Sequence, residues 1–348
     1  MTMRSSAGSR AAQVLQCLAA LVLASCVGSS PGHAAVREAT PDTLGKILAE
    51  AKGGDTIVLA PGEYAGVRFG KREFQPRLVI DAREARLSDW WFRGVSGVEL
   101  RGGVYRLPPM VISPRNGRKD YGRSLRIDSS RNVRVTQGRF VGPSATGENT
   151  LPYGEGYGIF MVGGSDIEIT GNVLAGYKSG IVLTRVDGFK LRENTFTEMR
   201  SDGMQVAESR NGLIEANTCD GTRIREGEHP DCIQMWSRPT SPPTADMVIR
   251  GNRIFGSTQG IGMFNHVRNG VDDGGFDRIT IEDNEIEVGY PNAISLKSGR
   301  DSIVRNNRVR TLKGAKFIAT INVGPGVARC GNTVGSSGGR RGETDPKC

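Results

Sequence analysis

The sequence predicts an all-β chain: a right-handed parallel β-helix with a short capping helix at its N-terminal end. Two recurring patterns carry this expectation. In the first, asparagine follows two apolar residues at a fixed distance, as in Ile167-x-Ile169-x-x-Asn172, Phe189-x-Leu191-x-x-Asn194, Met247-x-Ile249-x-x-Asn252 and Ile279-x-Ile281-x-x-Asn284. Asn217, Asn307 and Asn332 take the same place with weaker apolar partners, and Gly103 and Gly138 hold it in two earlier copies. The shortest steps, Asn172 to Asn194 and Asn194 to Asn217, are 22 and 23 residues, a period typical of solenoid repeats. The second pattern is another short apolar run in each repeat, such as Gly158-Ile159-Phe160-Met161, Gly203-Met204-Gln205-Val206 and Cys232-Ile233-Gln234-Met235, ending with Phe317-Ile318-Ala319-Thr320. Neither run is long enough for a helix, and their alternation has the period of a strand, with the middle residue facing out. The recurring asparagines are expected to form a turn ladder of amides bonded from coil to coil, with no part in chemistry.

Taken in order, residues 1–35 are set aside as an export signal. Arg4 and Arg10 precede the apolar stretch from Ala11 to Ser25, too short for a membrane span. Two processing sites compete: a small-residue site at Gly32-His33-Ala34, and a lipobox, Leu23-Ala24-Ser25-Cys26, that would lipidate Cys26. Either one exports the protein. Thr40 and Pro41 open the capping helix and Gly53 closes it. A single β-helix domain is expected over residues 36–335, beginning with the strand and turn at Gly54 to Tyr64. Three excesses over the basic repeat mark inserted loops, one at 142–156, one shared between 223–230 and 238–245, and one at 267–276, and repeat proteins usually place such loops on a binding face. A Gly/Ser-rich tail, 336–348, closes the chain.

Four cysteines lie beyond both processing sites, and an even number in an exported chain suggests disulfides. Four allow three pairings. Nearness in sequence favours Cys219–Cys232 and Cys330–Cys348, the second tying down the tail. Net charge is +9, falling to +7 without Arg4 and Arg10. The basic residues are scattered and no aromatic platform interleaves them, which argues against nucleic acid. An anionic polysaccharide fits better. A monomer is expected.

Stacking the second apolar runs aligns outward columns. Two adjacent coils repeat Asp-x-x-Gln, as Asp202-Gly203-Met204-Gln205 and Asp231-Cys232-Ile233-Gln234. The carboxylates would lie about 5 Å apart, one inter-strand spacing. Stacked like charges need compensation. A Ca²⁺ ion held by Asp202 and Asp231 would supply it. A proton shared between the two, as in glycosidase carboxyl pairs, would also serve. In a third reading the aspartates only bond turn amides. His229, Trp236, Phe264, Asn265, His266, Arg268 and Lys297 converge on the same side, the aromatic rings offering surfaces on which sugars stack.

These residues resemble the pectate-lyase-like group of β-helix enzymes. Ala51-Lys52-Gly53-Gly54-Asp55-Thr56-Ile57 and Pro61-Gly62-Glu63-Tyr64 are similar to the first strand of the alginate lyase and chondroitinase B family. Ile294-Ser295-Leu296-Lys297-Ser298 is similar to the stretch that carries that family's catalytic lysine. The fold resemblance spans nearly the whole chain after the export signal. The chain lacks the Asp-Pro-His-Asp motif of mannuronan epimerases and the Gly-His-Gly motif of polygalacturonases. The resemblance implies a polysaccharide lyase that cleaves a uronic-acid polymer by β-elimination. Lys297 or His266 would then be the base, and His229 or Arg268 would serve the leaving group. Ca²⁺ or Gln205 and Gln234 would neutralise the sugar carboxylate, with Trp236, Phe264 and Asn265 binding substrate. A glycoside hydrolase using Asp202 and Asp231 is the first alternative. A non-catalytic carbohydrate-binding solenoid and a C5-epimerase are the others.

Overall fold

A computed structural model describes residues 34–112, 115, 117–146, 153–238, 243–265, 267–272, 274–335 and 342–348. Residues 1–33, where the export signal is expected, His266 and parts of the inserted loops lie outside them. Each coil supplies three strands. In the coil that begins at Asp202 they are Asp202–Ala207, Arg210–Glu215 and Thr218–Thr222, termed here the first, second and third faces. Each pairs in parallel with its counterpart one coil on: Gln205 with Gln234, Ile214 with Ile249, Cys219 with Ile254. In three coils the first two faces run as one unbroken strand, Arg123–Thr136, Tyr157–Thr170 and Ser179–Arg192. Those faces therefore merge into a single 20-stranded sheet, while the third face forms a sheet of 12. The architecture is the expected right-handed parallel β-helix.

The core follows from alternation. Ile167 and Ile169, Phe189 and Leu191, Met247 and Ile249, and Ile279 and Ile281 are all buried, stacked in two inward columns on the second face. Gly212 interrupts one column. A Cβ there would lie 2.2 Å from Phe189 Cζ, so that ring occupies the missing side chain's space.

The asparagine ladder is present as expected. Asn172, Asn194, Asn217, Asn252, Asn284, Asn307 and Asn332 are at most 1% exposed. Each Oδ1 accepts the backbone N–H of the residue one coil earlier, for example Asn194 N to Asn217 Oδ1 at 3.0 Å and Asn217 N to Asn252 Oδ1 at 2.9 Å. Each Nδ2 donates to a backbone carbonyl of the preceding coil, as Asn217 does to Leu191 at 2.9 Å. Gly138 joins by donating its N–H to Asn172 Oδ1. The residue before each ladder position is left-handed: Gln137, Glu193, Ala216, Asp283 and Asn306 have φ between 54 and 57°. That turn aims the next N–H along the stack.

Both ends are closed. The helix runs over Leu44–Glu50, later than the expected start at Thr40. Thr40 instead opens a turn: its carbonyl accepts Leu44 N at 2.9 Å and its N–H donates to Thr43 Oγ1. Leu44 and Leu48 enter the core. At the other end Glu343–Thr344 pairs antiparallel to Thr333–Val334, and Asp345 accepts the ladder's final amide from Asn332 at 2.6 Å. Disulfides join Cys219 to Cys232 and Cys330 to Cys348, the two pairs favoured by sequence.

Candidate functional site

Strict alternation cannot put Asp202 and Gln205 on one side, because their spacing of three is odd. A corner at the start of the first face resolves this. Gly203 and Met204 both point inward: a Cβ on Gly203 would meet Cys219 Sγ at 3.0 Å and Phe196 Cγ at 3.3 Å, and Met204 is fully buried. One coil on, Cys232 and Ile233 do the same, Cys232 being fixed to Cys219. With two consecutive inward residues, Asp202 and Gln205 both face out, as do Asp231 and Gln234.

The two tetrads interlock. Gln205 Nε2 donates to Asp202 Oδ2, which also accepts Ser201 Oγ at 3.0 Å, while Asp202 Oδ1 accepts Asp231 N at 3.1 Å. Gln234 Nε2 donates to Asp231 Oδ2 at 3.2 Å, and His229 Nδ1 stands 4.0 Å from the same oxygen. Asp202 and Asp231 are 1% and 0% exposed, whereas 64% of the His229 side chain is exposed. A Cβ at Gly262 would lie 2.5 Å from Phe264 Cε2 and 2.6 Å from Asp231 Oδ1. The Phe264 ring thus folds back over the coil and shelters that carboxyl, whose Oδ1 has no hydrogen-bond partner.

Burial, reinforced by the neighbouring Asp202 charge, pushes the Asp231 carboxyl well above the usual carboxylate range; the Gln234 hydrogen bond offsets only part of this. Burial also raises Asp202, opposed by donors from Gln205, Asp231 and Ser201. The pair titrates as a unit that holds a proton more tightly than free carboxylates do.

Ca²⁺ does not fit here. It takes six to eight oxygen ligands, whereas the site offers two carboxyls that are 1% and 0% exposed and so closed to the water that would complete the set. Among the described residues no cluster of three or more His, Cys, Asp or Glu side chains is arranged to hold a metal.

Around the tetrads the outward file continues with Gln259 and Asn292. Gln259 pairs with Asp231, Asn292 Nδ2 donates to Gln259 Oε1 at 2.6 Å, and Asn322 Nδ2 reaches Asn292 Oδ1 at 3.2 Å. Asn322 escaped the sequence analysis because the last strand of the first face is Thr320–Val323, three residues beyond the expected run at 317–320. Phe317 is freed by that shift, lies exposed and stacks on Tyr290, 5.7 Å between centroids. These rings, with Arg223, Lys313 and Lys316, line a cleft of about 840 Å³ at the corner leading into the first face. The inserted loop carrying His229 is anchored by buried Arg200, which pairs with Glu155 and with Glu228 at 3.2 Å. That knot was not legible in the sequence.

The other expected residues are dispersed. Trp236 and Phe264 pair in register and are half-buried. Asn265 Oδ1 accepts the Gly275 N–H at 3.2 Å and so ties the ends of an insertion together. Arg268 lies in the strand Val267–Arg268 of the small hairpin that follows, and His266 is outside the described residues. Lys297 is exposed, two coils beyond Asp231 and at the other end of its strand, just past Leu296, which pairs with Met263. At about 4.8 Å per coil and 3.3 Å per residue this is roughly 19 Å from Asp231, so Lys297 and the carboxyl pair cannot serve one reacting atom.

Comparison with known proteins agrees with the architecture. A family model described as "Right handed beta helix region" matches residues 125–309, more than half of the chain. The chain belongs to this right-handed β-helix family. Among solved structures it is similar to the Dettilon tailspike protein, with 14% identity and a TM-score of 0.56 over 84% of this chain and 57% of the tailspike. The chain therefore spans little more than half of that protein. It is also similar to an alginate lyase from Paenibacillus, with 15% identity and a TM-score of 0.52 over 84% of this chain and 99% of the lyase. At such identities these likenesses show the fold. No curated protein matches by sequence.

Proposed function

We propose that this β-helix protein is an exported enzyme that cleaves a uronic-acid polysaccharide by β-elimination. The observation that carries the proposal is the flanking of Asp231 Oδ2 by Gln234 Nε2 at 3.2 Å and His229 Nδ1 at 4.0 Å. An amide donor and an exposed imidazole thus stand within about 7 Å of each other, a span that fits one sugar ring. Elimination needs the carboxylate at C5 neutralised, the C5 proton removed, and a proton delivered to the leaving oxygen at C4. Each glutamine gives one N–H to its aspartate and keeps its other N–H for a ligand. Gln205 and Gln234 would hold the sugar carboxylate, and His229 would take the C5 proton as the C4–O bond breaks and the C4=C5 double bond forms, then return that proton to the leaving C4 oxygen, acting as base and then as acid. Asp202 and Asp231 act as positioning residues beneath them. The two disulfides suit an oxidising compartment, in keeping with the N-terminal segment, whether it is cut near Ala34 or lipidated at Cys26.

Hydrolysis by Asp202 and Asp231 is the second reading. It is favoured by carboxyls one coil apart whose environments raise them unequally. Their burial argues against it, because a carboxylate that is 0–1% exposed cannot attack an anomeric carbon. The test is incubation with alginate, polygalacturonate and glycosaminoglycans, reading unsaturated product by ultraviolet absorbance and reducing ends separately. The proposal expects absorbance, a loss of about 100-fold for His229→Ala, and no effect of chelator. Reducing ends without absorbance, abolished by Asp202→Asn, would replace elimination with hydrolysis.

A further inference from the structure

The outward column that holds Gln205 and Gln234 continues toward the N-terminal end as Val182, Phe160, Arg126, Trp91 and Arg68, each paired in register with the next. At its far end three guanidinium groups surround one indole. Arg126 Cζ is 4.5 Å, Arg93 Cζ 5.8 Å and Arg68 Cζ 5.9 Å from the Trp91 ring. The ring is fixed: Trp91 Nε1 donates to Asp128 Oδ2 at 2.9 Å, and Arg126 Nε donates to the same oxygen at 2.8 Å. Arg68 pairs with Asp89. Arg93 is exposed and has no acidic partner among the described residues. The patch therefore keeps an uncompensated positive charge beside an aromatic surface.

Arginine on this solenoid is not generally left so. On the second face Arg192, Glu215 and Arg250 form a register ladder, with Glu215 2.7 and 2.6 Å from its two partners, and Arg305 pairs with Glu282 at 2.6 Å. Between the patch and the tetrads, Arg123 Cζ lies 4.7 Å over Phe160 and 5.9 Å over Tyr157, so cationic and aromatic character continues along the track.

We infer that Arg68, Trp91, Arg93 and Arg126 form a remote subsite for an anionic sugar unit, four coils or about 19 Å from Gln205 along the first face. The inference rests on the polyuronate reading of the tetrads. A guanidinium fork matches a carboxylate, and the indole face stacks on the apolar face of a pyranose. One polymer chain lying along the coil axis would engage both places, and the distant contact would add affinity to the near one.

The test is affinity electrophoresis in gels containing alginate or polygalacturonate, with neutral dextran as a control. It is paired with turnover of uronate oligomers of increasing length. Retardation of the wild type in the anionic gel, weakened about tenfold in Arg93→Glu and in Trp91→Ala, supports the subsite. So does a KM that falls with oligomer length in the wild type but not in Arg93→Glu, with kcat on short oligomers unchanged. Equal retardation of wild type and both variants, or none of the wild type, overturns it. Turnover with an unaltered Arg93→Glu removes the subsite and leaves the lyase. Retardation that depends on Arg93 without any turnover does the reverse.

Discussion

Replacing Asn217 by alanine tests the ladder where its bonds are fully accounted for. Asn217 Oδ1 accepts Asn194 N and Asn194 Nδ2, each at 3.0 Å; its Nδ2 donates to Leu191 O at 2.9 Å and Asn252 Oδ1 at 3.0 Å. Alanine leaves the Asn194 N–H and the Leu191 carbonyl without these partners, in a place that is fully buried. Asn194 Nδ2 keeps Ile169 O, and Asn252 Oδ1 keeps the backbone N–H of residue 217. Two orphaned backbone groups at about 1–3 kcal/mol each put the loss near 4 kcal/mol. Asp220→Ala, exposed on the adjoining strand, is the control and should stay within about 0.5 kcal/mol. A solenoid need not unfold in one step. The assay therefore combines urea unfolding followed by circular dichroism with amide hydrogen exchange, in which the Asn194 amide should lose protection ahead of distant coils. A loss under about 1 kcal/mol, or exchange at Asn194 no faster than in the control, would refute the claim that the ladder holds adjacent coils together.

Ala216 precedes the ladder at φ 54°, so Ala216→Gly should raise stability by about 0.5–1 kcal/mol in the same denaturation assay, glycine removing the left-handed strain at some entropic cost. Asp231→Asn should change how stability depends on pH. The folded Asp231 carboxyl holds its proton well above the usual carboxylate range, so the folded state binds more protons than the unfolded chain across that interval. Its contribution is therefore fully present below the unfolded pKa and is lost as pH rises toward the folded one. In a series of melts the Asn variant should lack this decline and equal or exceed the wild type at neutral pH. A variant that is less stable than the wild type at neutral pH would show that the carboxyl is not raised.

The fold was legible because its determinants are local and periodic. Asn172 to Asn332 occupy one steric position per coil, and a buried amide that satisfies two neighbouring turns leaves few substitutes, so the pattern survives in the letters. The ends of the solenoid were less legible. Thr40 and Pro41 carry helix-start chemistry, yet the chain uses Thr40 for a turn closed by Thr43 and starts the helix at Leu44. The final strand of the first face was placed three residues early because Phe317-Ile318 is as apolar as a core run. Phe317 instead lines a cleft with Tyr290, and only pairing with Ser295 identifies Asn322 as the outward residue.

The site was half legible, for a reason that bears on its chemistry. The Asp-x-x-Gln repeat announced two acid–amide units on adjacent coils, and they do interlock. The sequence could not show that Gly203-Met204 and Cys232-Ile233 both turn inward, nor that the Phe264 ring folds back over Asp231. Those two features decide which side-chain atoms are buried and which are accessible. Period-two reasoning treated all four polar side chains as equally outward and so offered the carboxylates to a calcium ion or to the hydrolase alternative. Once the corner and the ring are in place, the carboxyls become the buried floor and the amides with His229 become the accessible surface. Lys297, chosen for its local setting, belongs to the same face but to a coil too far along. The basic patch at Trp91 was invisible for the opposite reason: Arg68, Trp91 and Arg126 sit in three different repeats, and only the register brings them together. Charge scattered along a solenoid sequence is thus no guide to charge on its surface, where Arg192 and Arg250 are balanced by Glu193 and Glu215 while Arg93 beside Trp91 is not.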